Sequence, residues 1–114
     1  MDIRRGELYL VSMDPTVGSE IKKTRPALII QNDVGNKYSP LTIVAPITSA
    51  PRAKKYPTEV GITAKESGLD SDSTVLLNQI RTVDKSRIVR KLGALSQAKM
   101  KEVDEAIRIS LAVS

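Results

Sequence analysis

Short apolar runs rich in β-branched residues, separated by clusters of turn residues, recur along most of this chain. The runs cover residues 6–13, 27–31, 41–48, 57–62, 74–78, 80–84 and 87–92. Runs of this length are typical of strands, and turn residues follow them at close spacing. The pattern predicts a small β-barrel rather than an alternating βαβ sheet, within the mainly β (α+β) class.

One helix is predicted, at the C-terminal end. Ser96 is a suitable N-cap, since its side chain can accept a hydrogen bond from a free backbone N–H of the first turn. Apolar residues then recur at helical spacing along one face: Met100, Val103, Ile107 and Leu111. We expect this stripe to pack against the barrel. No linker or repeat interrupts the chain, so residues 1–114 are expected to form a single domain.

Pro46 sits inside one of the predicted strands, in the run 41–48. Proline cannot donate a hydrogen bond to a neighbouring strand, so it predicts an edge-like or bulged strand. The segment 63–73 contains Gly68 and the Asp70-Ser71-Asp72 turn, and is expected to be rich in turns.

The composition excludes several kinds of chemistry. The chain has no cysteine and no histidine, which removes disulfides, thiolate zinc sites, Ser-His-Asp triads and imidazole acid–base pairs. Phosphate-binding loops of nucleotide-binding spacing and G-x-S-x-G elbows are also missing from the sequence. We therefore expect no cofactor and no metal, although Asp70 and Asp72 could hold Mg²⁺ in principle.

The first residues, M-D-I-R-R-G, lack an apolar signal region, and no run approaches the ~18 apolar residues of a membrane span. A cytoplasmic protein that does not bind membranes is expected. The net charge of +5 favours an anionic partner. The basic residues are clustered: Lys22, Lys23 and Arg25; Arg52, Lys54 and Lys55; Arg87, Arg90 and Lys91.

The stretch 14–32 combines a turn, a charged loop and an apolar run. Asp14-Pro15 opens the turn, the loop follows, and Arg25-Pro26 closes it before the run Ala27–Ile30. A guanidinium held at a strand entrance beside a basic loop is suited to binding a phosphate. On composition alone, however, most arginines at strand starts are solvated or paired with a surface carboxylate, and Arg25 fits that interpretation better.

Seven blocks resemble, in order and spacing, the MazF/PemK family of toxin endoribonucleases. They are R-G-E-L-Y-L-V, D-P-T-V-G-S-E, T-R-P-A-L-I-I-Q-N-D, G-N-K-Y-S-P, A-P-I-T, L-L-N-Q-I-R-T-V-D and M-K-E-V-D-E-A. The resemblance extends from Arg4 to about Leu111. It implies an SH3-like barrel with a terminal helix, a homodimer, and inhibition by a small antitoxin with an acidic, partly disordered tail.

The resemblance also implies site residues. Arg25 of T-R-P and Thr48 of A-P-I-T would carry cleavage, and Gln79 would contact RNA. Three further RNA-binding candidates lie in the loop that covers the site in this family: Ser19, Glu20 and Lys22. The positive loop with Arg52 and Lys54 is expected to bind RNA and to influence which sequence is cut.

RNA supplies its own nucleophile, the 2′-hydroxyl, so a site without histidine or metal remains chemically adequate. Cleavage of single-stranded mRNA is then expected to leave a 5′-hydroxyl and a 2′,3′-cyclic or 3′-phosphate. The proton acceptor stays open, with Glu20 as one candidate. Two alternatives remain: a CcdB-type toxin that acts on DNA gyrase by protein contact, and a non-catalytic RNA-binding barrel. The second is disfavoured by the shortage of stacking aromatics.

Overall fold

The computed structural model describes residues 2–13, 24–52 and 54–114. The strands in these ranges are β1 (Glu7–Ser12), β2 (Thr24–Ile29), β3 (Leu41–Thr48), β4 (Glu59–Ile62), β5 (Ser73–Leu76), β6 (Arg81–Asp84) and β7 (Ile88–Ala94). The α-helices are α1 (Asp33–Tyr38), α2 (Ala64–Ser67) and α3 (Gln97–Leu111), and a 3₁₀ turn spans Lys85–Arg87. The predicted mainly β fold with a C-terminal helix is confirmed.

All the strand pairings are antiparallel, in the order β4-β5-β3-β2-β1-β7. β6 pairs with residues 41–44 of β3, and β5 pairs with residues 47–48 of the same strand. β3 is therefore central, and the expectation that Pro46 marks an edge-like strand is wrong. Pro46 lies where the ladder to β6 has ended, at Val44, and the ladder to β5 has not yet begun, at Ile47. A residue without an N–H fits this gap because neither ladder needs its donor.

Two apolar clusters lie on opposite faces of the sheet. One contains Tyr9 of β1, Ala27 of β2 and Val44 of β3, together with Val83 of β6 and Ile88 of β7. These last two strands end the row β6-β3-β2-β1-β7, so the row must curl for their side chains to share one cluster. In the described residues, however, no ladder joins β6 to β7, and the sheet is not closed into a barrel.

Helix α3 packs on the second cluster. Val103 and Ala106 are buried there, and Met100 and Ile107 are partly buried against it. The Ser96 hydroxyl accepts from Lys99 N at 3.2 Å, which confirms the predicted cap. The stripe is shorter than expected, because Leu111 is 52% exposed.

Two local differences from the sequence analysis affect the site. β2 begins at Thr24, so Arg25 and Pro26 belong to the strand rather than to the end of a loop. The turn-rich segment contains α2, capped by a reciprocal pair of hydrogen bonds between Thr63 and Glu66. Within the described residues, no helix is long and apolar enough to cross a membrane.

Candidate active site

A cleft of about 630 Å³ opens at the end of the sheet where β2 starts and β3 finishes. Its walls come from β1, β2, β3 and β7 and from the segment that joins α2 to β5. The lining residues are Leu10, Arg25, Pro26, Ile47, Thr48, Ser49, Ala50, Gly68, Leu69, Asp70, Ser71, Ser73, Arg90, Lys91 and Leu92. Cationic and hydroxyl groups therefore surround a small apolar floor, an arrangement suited to a phosphate-bearing ligand.

The register of β2 and β3 brings Arg25 and Thr48 to the same place. The ladder ends with Ala27 opposite Pro46, since Pro26 has no N–H with which to extend it. If the register is continued, Arg25 falls opposite Thr48, on the same face of the sheet. Both side chains line the cleft, so two residues far apart in sequence share one site.

The two side chains are in different hydrogen-bonding states. The Thr48 hydroxyl accepts a hydrogen bond from Ala50 N at 3.1 Å, which leaves its O–H free to donate to a ligand. Arg25 is exposed, and within the described part of the chain its guanidinium has no hydrogen bond or ion pair. A planar fork of free donors is thus available to a phosphate.

Arg90 and Lys91 of β7 add positive charge to the same cleft. Leu10 lies between β2 and β7, opposite Pro26 on one side and Arg90 on the other. Two of the three basic clusters seen in the sequence therefore converge here, through Arg25, Arg90 and Lys91.

Lys91 is held in place by Glu7, with Nζ 2.6 Å from Oε2. Burial works to raise the pKa of Glu7, but hydrogen bonds from Lys91, Arg4 N and Tyr9 outweigh it and leave the pKa lowered. Burial, together with the hydrogen bond to this carboxylate, raises the pKa of Tyr9 to about 12. Glu7 therefore stays ionised at neutral pH and fixes one cation at the cleft.

The Gly68–Ser71 segment also lines the cleft, although its sequence predicted only a turn with a possible Mg²⁺ site. Asp70 is on the cleft, whereas Asp72 accepts from Ala64 N at 2.8 Å and so caps α2. The two carboxylates thus have separate positions. Among the described residues no group of three or more acidic side chains could hold a metal ion.

Several predicted RNA-binding residues lie outside the cleft lining. The Arg52 guanidinium is paired with the Glu59 carboxylate, which raises the pKa of Arg52. Lys54 Nζ lies 5.5 Å from the ring centre of Tyr56, and Gln79 is exposed in the turn between β5 and β6. Ser19, Glu20 and Lys22 lie outside the described residues, as does the rest of the loop 14–23.

Comparison with known proteins identifies the relatives of this chain. The family model described as "PemK-like, MazF-like toxin of type II toxin-antitoxin system" matches residues 4–111. The endoribonuclease MazF of Staphylococcus epidermidis is 54% identical over 112 residues, which is 98% of this chain and 93% of the relative.

Solved structures agree in fold. The Form-II MazE–MazF crystal structure from Deinococcus radiodurans has a TM-score of 0.82 at 29% identity, covering 100% of this chain and 99% of the other. A mycobacterial endoribonuclease in complex with its cognate antitoxin has a TM-score of 0.80 at 22% identity, covering 98% and 97%. At that lower identity the likeness concerns the fold alone.

Proposed function

The chain belongs to the PemK-like, MazF-like toxins of type II toxin–antitoxin systems and is an endoribonuclease, and we propose that it cuts single-stranded RNA in the Arg25–Thr48 cleft. The observation that carries this assignment is the shared register of β2 and β3, which brings Arg25 and Thr48 together at one opening. Single-stranded mRNA fits because its backbone is flexible enough to place a 2′-hydroxyl in line with the adjacent phosphate.

In the proposed reaction the ribose 2′-oxygen attacks the neighbouring phosphorus. The new P–O2′ bond forms while the P–O5′ bond breaks, which gives a 2′,3′-cyclic phosphate and a 5′-hydroxyl. One proton leaves the 2′-hydroxyl and one reaches the departing 5′-oxygen. The protein's part is to orient the phosphate and to stabilise the charge that develops on its oxygens.

Arg25 and Thr48 supply that stabilisation. The guanidinium of Arg25 can donate two parallel hydrogen bonds to the non-bridging oxygens. The Thr48 O–H, held by its bond from Ala50 N, can donate a third. The Thr48 hydroxyl is positioned before the substrate arrives and needs little reorganisation in the transition state, whereas the exposed Arg25 side chain becomes ordered when the phosphate binds. Arg90 and Lys91 attract and position the flanking phosphates.

The nucleophile belongs to the substrate, so this route requires no metal ion. Glu20 remains the proposed candidate for the proton acceptor, and it lies outside the described residues. We also keep Ser19, Lys22 and Gln79 as RNA contacts, with Lys54 and Arg52 further from the reacting phosphate. Arg52 must first leave Glu59 before it can bind RNA.

A cognate antitoxin with an acidic, partly disordered tail is the proposed partner. Its negative charge would compete with RNA for the basic cleft as the tail folds on binding. A homodimer is proposed as well. Exposed apolar side chains at the end of α3, Ile109, Leu111 and Val113, support it, because such groups gain by burial between copies. Sedimentation should then give about twice 12.4 kDa.

We further propose that residues 1–114 act as one domain, since the family model spans most of them. A cytoplasmic location follows from the proposed mRNA substrate. The gyrase-directed alternative is not favoured, because the matched family is that of PemK and MazF.

The proposed reaction is tested with the wild-type protein and a short RNA in EDTA. We expect cleavage to continue and the fragments to carry 5′-hydroxyl and 2′,3′-cyclic or 3′-phosphate ends. A matched RNA with a 2′-O-methyl group at the cleaved position should resist. Cleavage that starts only when Mg²⁺ is added, or that proceeds equally on the methylated RNA, would disprove attack by the 2′-hydroxyl.

A further inference from the structure

Asp70 is the one acidic residue among the described residues that line the cleft. The same cleft is lined by Arg25, Arg90 and Lys91. A carboxylate in such a place repels phosphate and so weakens the binding of a polyanion. We therefore expect Asp70 to have a role other than contact with the RNA backbone.

The segment that bears Asp70 is held from both sides. On one side, Gly68 and Gly93 of β7 are in close contact through their backbones. On the other, Asp72 accepts a hydrogen bond from Ala64 N, and the Ser73 hydroxyl donates to Ser71 O at 3.0 Å. Asp70 therefore lies on a segment that these contacts hold in place, and a side chain on a rigid segment can discriminate between ligands.

The Asp70 carboxylate has no hydrogen bond or ion pair within the described ranges. The Lys91 ammonium, which could have neutralised it, is bound to Glu7 at 2.6 Å. Asp72, two residues on, is already used for the cap of α2. Asp70 alone of this turn therefore retains its full capacity to accept hydrogen bonds from a ligand.

An ionised carboxylate accepts hydrogen bonds and donates none. The 2′-hydroxyl of RNA can donate to it at any nucleotide, whereas the donors that differ between bases are chiefly the exocyclic amino groups on the base edges. Cytosine, adenine and guanine each carry one. Uracil has none, and its two carbonyl oxygens flank its single ring N–H, so they would face the carboxylate and be repelled.

Given that RNA is cut in this cleft, as proposed above, we propose that Asp70 determines specificity: it accepts a hydrogen bond from the amino group of a base beside the scissile phosphate and disfavours uracil at that position. The cleft then divides its tasks. Arg25 and Thr48 act on the phosphate, while Asp70 reads one base.

The test is cleavage of an RNA library randomised around the cut site, with the new ends sequenced. We compare wild type with Asp70→Asn, in which the amide offers a donor as well as an acceptor. Asp2→Asn is the control, since it changes the net charge equally and lies outside the cleft. At one position the wild type and the control should disfavour uracil, and Asp70→Asn should reduce that discrimination on the order of ten- to a hundredfold.

Base preference can also be measured without cleavage. The same library made with 2′-O-methyl nucleotides is bound but not cut, and the retained sequences are read. A preference profile for Asp70→Asn that matches wild type in both assays overturns the proposal. So does a general loss of cutting with an unchanged bound profile, since that points to proton transfer. A library left uncut by the wild type would instead refute the proposed function.

Discussion

Gly68 and Gly93 approach each other so closely that neither could carry a side chain. A Cβ on Gly93 would lie 2.1 Å from Ser67 O, and one on Gly68 would lie 2.4 Å from Leu92 O. Gly68 also has a φ of +79°, a backbone conformation that residues with a side chain rarely adopt. This contact fixes the segment after α2 against β7, and so sets the distance between the wall with Asp70 and the strand with Arg90 and Lys91.

Gly93→Ala is therefore expected to destabilise the protein by roughly 1–3 kcal/mol, the usual effect of forcing an atom into a packed region. Gly61→Ala is the control, since a Cβ there meets nothing within 4 Å; it should be neutral or slightly stabilising. Urea unfolding of both variants measures the difference. Equal free energies of unfolding for the two variants would show that the contact can relax without cost.

Replacing Arg25 should reduce kcat while the protein stays folded. Arg25→Ala removes the charged donor proposed to act mainly in the transition state, and we expect a loss on the order of 10²–10³ in kcat. Arg25→Lys should recover only part, because an ammonium cannot reproduce the planar fork. Single-turnover cleavage of one short RNA gives the rates, with circular dichroism as the folding control. Near wild-type cutting by Arg25→Ala would remove Arg25 from the mechanism.

Thr48 offers a test of the hydroxyl itself. Thr48→Ser keeps the O–H and its bond from Ala50 N, whereas Thr48→Val keeps the branched shape without it. We expect Thr48→Ser to retain most activity. Thr48→Val should lose on the order of tenfold or more, because the hydroxyl donor is then missing in the transition state. The same kinetic assay applies. Equal activities for the two variants would mean that Thr48 serves only the strand.

Binding of RNA should weaken steeply as salt is raised, because cations in the cleft displace the counterions of the backbone. Arg90→Ala should remove about one phosphate contact and so reduce the slope of log affinity against log salt by ~0.7, the value per phosphate of a single strand. Arg4→Gln, an exposed residue outside the cleft, should leave the slope unchanged. Titration of a 2′-O-methyl RNA at several salt concentrations provides the slopes. An equal decrease in slope for both variants would mean that the net charge of the protein, rather than the cleft, controls RNA binding.

The free energy of unfolding should fall at acid pH, partly because Asp33 becomes protonated. Hydrogen bonds from Arg5 N, at 2.7 Å, and from the Asn36 amide lower the pKa of this carboxyl in the folded state. Its contribution is therefore complete above the unfolded value of about 3.9 and is lost as the pH falls through the folded pKa. Asp33→Asn should be less stable than wild type at pH 7, and the gap should close below about pH 4.

Urea unfolding of both proteins across this range measures the gap, and their difference cancels the other carboxyls whose pKa is lowered. The Asn side chain keeps an acceptor oxygen for Arg5 N, so the comparison isolates the charge. A gap that stays constant, or widens in acid, would assign the stability of this turn to something other than the Asp33 carboxylate.

Local features of this chain were predictable because neighbouring residues produce them. The Ser96 cap and the helix after it follow from a hydroxyl placed before an apolar stripe. The strand runs follow from β-branched residues bounded by turns. Motif resemblance correctly identified the family. It also named Arg25 and Thr48, whose roles remain to be tested by mutation.

Long-range relationships were not readable in this way. That β3 is central despite Pro46 depends on where two ladders end, and hydrophobic pattern alone does not report this. Among the basic clusters, only tertiary structure brought Arg90 and Lys91 to Arg25 while pairing Arg52 with Glu59. Gly68 and Gly93 are 25 residues apart in sequence, so each looked like an ordinary turn or strand glycine.

The sequence by itself determined the strand-rich composition, the terminal helix and the absence of histidine and cysteine, which excludes imidazole and thiolate chemistry. The tertiary structure alone decided which charges face one another. Capping and periodicity act over a few residues, whereas the cleft depends on strand register and on one backbone contact between distant segments. That is why Asp70, an ordinary turn residue in the sequence, lines the same cleft as Arg25 in the folded protein.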